Sequence, residues 1–170
     1  MANVNRYIEG ARTCIPITVA SGVTVEVGDL MFIDNTNNLR INGASTANNY
    51  AYPLEYLRIS GASLELNKRE VKERFLGVSM EYHSGITNED TTRSISVAIS
   101  GKFNFHLKPA KTIYPGSYVG VTGTSSGSDI LNQKVMRTDD SLIRIGTFAE
   151  SKKQALNADL EIQSFLRGTL

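Results

Sequence analysis

Residues 95–123, ISVAISGKFNFHLKPAKTIYPGSYVGVTG, decide the fold. Ile95, Val97 and Ile99 alternate with Ser94, Ser96 and Ser100. Beyond Gly101 the pattern resumes in phase, with Phe103, Phe105 and Leu107 against Lys102, Asn104 and His106. Period-two alternation is the mark of a half-buried strand. Because every apolar position is odd-numbered, one face of a long strand is apolar throughout. Gly101 is expected to bend this strand at a corner, and Pro109, which has no amide hydrogen for the ladder, to end it. Residues 118–122 then read as the next strand. The stretch holds no nucleophile, ligand cluster or phosphate loop.

Working outward, residues 15–20 (IPITVA) are a short β-rich run, and Val23, Val25 and Val27 alternate with Thr24 and Glu26 within residues 23–34. Gly28-Asp29 interrupts that run, which predicts a turn or bulge. Residues 35–49, rich in Asn, Gly, Ser and Thr, read as a long loop with a brief strand at residues 39–41. One short helix is expected over residues 63–75, with Asn67 as cap, Glu70 three positions later, and Val71 and Phe75 as its apolar stripe. Gly77 marks the return to strand, residues 124–129 (TSSGSD) read as a loop, and residues 142–149 and 159–166 are two more strands. Short strands punctuated by turns predict an all-β fold, a small antiparallel β-barrel or β-sandwich with one short helix and a long loop insertion. The regular strand–helix alternation of a parallel α/β sheet is missing. Residues 1–14 read as an N-terminal arm and residues 15–170 as a single domain.

The two halves share an order of elements. The first runs through Thr24–Asp29, Phe75-Leu76-Gly77-Val78 and Ile95–Ile99, and the second through Thr112–Ser117, Arg144-Ile145-Gly146-Thr147 and Leu160-Glu161-Ile162. Each has a Gly-marked turn feeding a strand, a strand with a central Gly, and an alternating strand. Identities are few, so the order reads either as a pseudo-duplication or as coincidence. On the first reading, residues 35–74 are an insertion in the first half.

The chain has 170 residues, long enough to bury a sizeable core. It carries 18 basic and 17 acidic residues for a formal charge of +1, without the basic excess expected of a protein gripping phosphates. The one dense charge run, residues 68–74 (KREVKER), alternates sign and reads as a solvated helix face. A single cysteine, Cys14, excludes an intrachain disulfide. Residues 1–10 lack the apolar core of a signal peptide and no apolar run approaches the length of a membrane span, so synthesis in a reducing cytoplasm is expected. No Walker or Rossmann glycine spacing occurs. His83 lies near Glu81, Glu89 and Asp90, too loose a set to specify a metal site. Asp139-Asp140, a conceivable acid–base pair, points to opposite faces of an extended chain and reads as a turn. No catalytic, cofactor or metal residue is assigned, and the chain is read as no enzyme, acting through its surfaces.

In their order, TVEVGDLMFID, RFLGVSM, ISVAISGKFNFHLKPA, IYPGSYVGVTG, IRIGTFAE and ADLEIQSFL resemble the head-decoration, or capsid cement, proteins of tailed bacteriophages. The resembling features are the Gly28-Asp29 turn, the strand VAISGKFNFHL from Val97 to Leu107, the Gly116–Val119 turn, Ile145-Gly146 and Asp159–Ile162. Short members of that family lack anything like residues 35–74, and Pro115 stands where a small residue is more usual. The resemblance implies a compact β-barrel or sandwich on the outer surface of an icosahedral phage head. It would bridge major capsid protein subunits as a homotrimer, with no cofactor, direct nucleic-acid contact or membrane contact. Tyr7 and Ile8 in the arm, and Tyr50, Tyr52 and Tyr56, amphipathic aromatics of the kind enriched at interfaces, are the interface candidates. The competing readings are another phage β-protein, such as a tail-tube or connector subunit, and a carbohydrate- or receptor-binding module.

Overall fold

The computed structural model describes residues 6–20, 22–34, 50–57, 64–85, 93–123 and 130–164, with the side chains of 6–11, 64–68 and 109 excepted. The expected loops at residues 35–49 and 124–129 lie outside the described residues. The chain is all-β, with strands β1 Arg6–Val19, β2 Leu30–Asp34, β3 Tyr50–Pro53, β4 Phe75–Ser79, β5 Arg93–Ile113, β6 Tyr118–Gly123, β7 Ile130–Arg137, β8 Arg144–Phe148 and β9 Lys152–Gln163. One helix, α1 Leu64–Arg74, and a single 3-10 turn, Leu54–Tyr56, interrupt them among the described residues.

The strand pairings close on themselves twice. In the first circuit the order is β1-β3-β2-β4-β5, and β5 returns to β1; in the second it is β5-β7-β6-β8-β9, and β9 returns to β5. The alternating strand is the element common to both. Its first part, with Ile95 opposite Ile17 and Val97 opposite Ile15, completes the first circuit. Its second part, with Phe103 opposite Leu160 and Phe105 opposite Ala158, opens the second. All six of its odd-numbered apolar residues from Ile95 to Leu107 are buried.

The circuits correspond strand for strand and in the sense of every pairing. Each contains one parallel contact, Val19 beside Ala51 in the first and Leu107 beside Val135 in the second; the other ladders are antiparallel, as expected. The turn before β2 is tied by Gly28 N–H to Ser79 O (2.9 Å) and Ser79 N–H to Asp29 O (2.8 Å). The turn before β6 is tied by Gly116 N–H to Phe148 O and Phe148 N–H to Ser117 O, both 2.9 Å. Even the irregularities match: the β2–β4 ladder slips after Met31-Gly77, and the β6–β8 ladder after Val119-Gly146. The structure therefore favours the pseudo-duplication over coincidence.

Several boundaries differ from the sequence expectation. The segment read as an arm enters the sheet at Arg6, with Tyr7 opposite Phe103. β5 continues past Pro109 to Ile113, because a register shift between His106 and Lys111 removes the need for an amide donor there. The helix begins at Leu64, so Asn67 lies inside it rather than capping it. The insertion is not continuous, since β3 belongs to the repeated circuit. The extra described material is the 3-10 turn and α1.

That extra material covers one sheet face of the first unit. Phe32 lies between Tyr52 and Phe75 across three strands, and all three are buried with Leu54, Leu57 and Val71 of the inserted segment. Arg74 closes α1 onto β2 through a buried ion pair with Asp34 (3.1 Å) and also engages Glu70 one helical turn earlier. The corresponding row of the second unit is Met136, Gly120 and Arg144. There the short connection between β7 and β8 lies over Gly120, where a Cβ would stand 2.6 Å from Thr138 Cγ2 and 3.0 Å from Ile143 O.

Candidate interaction surface

The turn from β5 to β6 is held from below and exposed above. Ile113 is buried, and the Phe148 ladder fixes Gly116 and Ser117. Gly116 sits at φ 79°, in the left-handed region, facing open space. Tyr114 on one side is 53% exposed and Tyr118 on the other 39% exposed. Each carries an arginine. The guanidinium of Arg137, the last residue of β7, lies 5.8 Å from the Tyr114 ring centre and donates to Thr112 O at 3.2 Å. That of Arg144, the first residue of β8, lies 3.2 Å from the Tyr118 ring centre. Its Nε is buried without a hydrogen-bond partner. Neither guanidinium is ion-paired with a carboxylate among the described residues. Rings hold the two cations in place by cation–π attraction without neutralising them.

The equivalent turn of the first unit is spent inside the molecule. Gly28 and Asp29 are buried. Asp29 accepts from Glu26 N–H (2.8 Å) within its own turn and from Gln133 Nε2 of β7 (2.9 Å) in the second unit. Burial pushes its carboxyl up to about 6, against the two hydrogen bonds, which pull it down. Beside this contact Glu55 N–H donates to Asn132 Oδ1 at 2.6 Å, so the inserted segment also leans on β7. By register, the positions of Tyr114, Tyr118, Arg137 and Arg144 are held in the first unit by Glu26, Leu30, Pro53 and Phe75. Of these only Glu26 is exposed.

The five interface candidates read from the sequence do not form this surface. Tyr7 and Ile8 lie in β1, and the ladder shifts register between Tyr7 and Glu9; their side chains are outside what is described. Tyr52 is fully buried and stacks on Phe32 at 5.7 Å between ring centres, which corrects its interface reading. Burial, then the charge of Asp34, raises its hydroxyl to about 12. Tyr50 and Tyr56 are half-buried against the same core. The β3 run is short and ends in Pro, so nothing in it distinguishes a core strand from an exposed aromatic segment. The signal for this candidate surface lies in the repeat: where the first turn has Glu26 and Leu30, the second has Tyr114 and Tyr118.

The remaining chemistry-bearing residues serve the fold. His83 is buried, and its Nδ1 lies 2.7 Å from Val23 O, which fixes that nitrogen as the donor. Glu89 and Asp90 lie outside the described residues. Asp140 accepts Leu142 N–H at 2.9 Å and donates its own N–H to Thr138 Oγ1 at 3.0 Å, a turn arrangement. Among the described residues no group of three or more His, Cys, Asp or Glu is placed to hold a metal ion, and no helix is long and apolar enough to cross a membrane. No family model matches the chain and no curated protein matches it.

Proposed function

We propose that this chain is a structural virion protein that binds the outer surface of an icosahedral phage head and stabilises the expanded capsid by bridging major capsid protein subunits. The observation that carries the reading is the position of the resembling motifs. Gly28-Asp29 and Gly116-Ser117 are equivalent turns of two matched circuits, Gly77 and Ile145-Gly146 lie on equivalent strands, and the long Val97–Leu107 run belongs to the strand the circuits share. The motifs thus form one architectural scheme rather than scattered likenesses. The exposed Tyr–Arg turn supports action through a surface, since Tyr and Arg are among the residues that carry most binding energy at protein interfaces.

The mechanism on this reading is mass action. A protein that binds the expanded shell and not its dissociated subunits stabilises the shell by an amount that grows with its concentration over Kd. Assembly as a homotrimer multiplies the grip of each contact. The reading involves no covalent step and no cofactor. A carbohydrate-binding role is less well supported, because Arg137 and Arg144 lie over the tyrosine rings on which a sugar would stack.

The test is to mix purified protein with expanded heads stripped of it, sediment the heads, and follow their thermal disruption by light scattering. Saturable co-sedimentation and a raised disruption temperature are expected. A protein left in the supernatant, with head stability unchanged, would refute the reading.

A further inference from the structure

We propose that the Tyr114–Tyr118 turn, flanked by Arg137 and Arg144, is a docking surface for an acidic segment of a partner protein. The inference rests on the reading of this chain as one that works through its surface. On that reading the segment belongs to the major capsid protein.

Three observations carry it. The first is charge. Two guanidinium groups stand at one end of the second unit, held by tyrosine rings and, for Arg137, by a backbone carbonyl, with no carboxylate against either among the described residues. A guanidinium presents a planar fork of donors that matches a carboxylate. The second is comparison within the molecule. The same turn in the first unit already makes a contact with the other unit, from Asp29 to Gln133, and the row beside it is sealed by Phe75 and the inserted segment. In a tandem architecture, a surface used between units and left open on the last unit is the natural place for the next contact. The third is composition. Both residues of each pair, an exposed Tyr and an Arg, are of the types enriched at interfaces. The rings are preset in place, so little side-chain freedom is lost on docking.

The experiment uses the full chain and a fluorescein-labelled decaglutamate peptide, read by anisotropy at low ionic strength. The double variant Arg137→Gln, Arg144→Gln is expected to weaken binding by about tenfold or more, as loss of charge-assisted contacts does. A charge-matched control, Arg69→Gln with Lys72→Gln on the exposed side of α1, is expected to leave it within about twofold, since it removes the same net charge without touching the pair that flanks the turn. Arg144→Lys, which keeps the charge and loses the fork, should fall between them. Circular dichroism of each variant separates loss of binding from loss of fold. No binding by the wild type, equal weakening in both double variants, or tighter binding of an oligothymidylate than of the peptide each overturns the proposal. Peptide binding without head binding would defeat the capsid reading alone, and head binding that survives the arginine double variant would defeat this one alone.

Discussion

Gly77 and Gly146 occupy the same point of the two circuits, and neither leaves room for a side chain. A Cβ on Gly77 would run into the Ala98 carbonyl oxygen and lie 3.2 Å from Ile99 Cα; a Cβ on Gly146 would run into the Glu161 carbonyl oxygen and lie 3.2 Å from Ile162 Cα. Backbone stands against backbone at matched places, so the obstruction cannot be relieved by a rotamer change. Gly77→Ala and Gly146→Ala should each destabilise the chain by about 2–3 kcal/mol, the range of overpacked sites. Gly116→Ala faces open space and strains only its positive φ, which costs about 1 kcal/mol. Urea unfolding of the three variants checks the order, and a Gly116 variant as unstable as the other two contradicts it.

The Arg74–Asp34 pair joins the inserted helix to the first circuit where both side chains are buried. Arg74→Ala strips a buried carboxylate of its guanidinium, an effect of about 3 kcal/mol or more. Replacing both partners together by Met and Leu should recover much of that loss, because an apolar pair needs no compensation. Chemical denaturation of the single and double variants gives the coupling. A double variant as unstable as Arg74→Ala would show that the pair is not the cause.

Tyr52 buries its hydroxyl without a hydrogen-bond partner. Tyr52→Phe removes that polar atom and keeps the ring stacked on Phe32, so stability should be unchanged or raised by up to ~1 kcal/mol. Tyr52→Ala should lose about 3–5 kcal/mol, as buried aromatics do. Thermal unfolding distinguishes these outcomes, and a large loss in Tyr52→Phe would mean that the hydroxyl is engaged.

Asp29 gives the seam between the units a pH dependence. Its folded pKa of about 6 stands above the ordinary 3.8. Between these values the folded chain keeps a proton that the unfolded chain has released, so stability must fall as pH rises. The contribution is complete below the ordinary value and lost as pH passes through 6. Half-buried Glu70 is raised too, while in Glu150 the upward pull of burial is overcome by Lys152 and the Asp159 amide, giving a net lowering. The Asp29 effect is therefore read as the difference between wild type and Asp29→Asn. Wild type should lose up to ~3 kcal/mol relative to the variant across that window. A difference that stays flat with pH contradicts the seam assignment.

Much of this architecture is written in residues 95–107, whose unbroken phase demands one long strand with one apolar face. The return to strand near Gly77 and the strand at Tyr118 are equally plain, each marked by a glycine. What escapes a sequence reading are β3 and β7, the strands that close each circuit through its short parallel contact. Burial is uneven in β7, with only Ile130 and Val135 buried, so it shows no period of two, and β3 is too short to show one. The same gap hides the surface: Arg137 and Arg144 are scattered basic residues until β7 and β8 are laid on either side of β6. Tyr52 misleads for the complementary reason, that its stacking on Phe32 and its approach to Tyr56 come from a strand pairing and a following turn that the run YAYP does not announce.

The most direct measurement is hydrogen–deuterium exchange on the protein free and bound to expanded heads. The account predicts slowed exchange at residues 112–120 and 137–144 in the bound state, with α1 unchanged. Protection confined to α1 or to the first circuit, with the Tyr114–Tyr118 turn exchanging as fast as in the free protein, would contradict it.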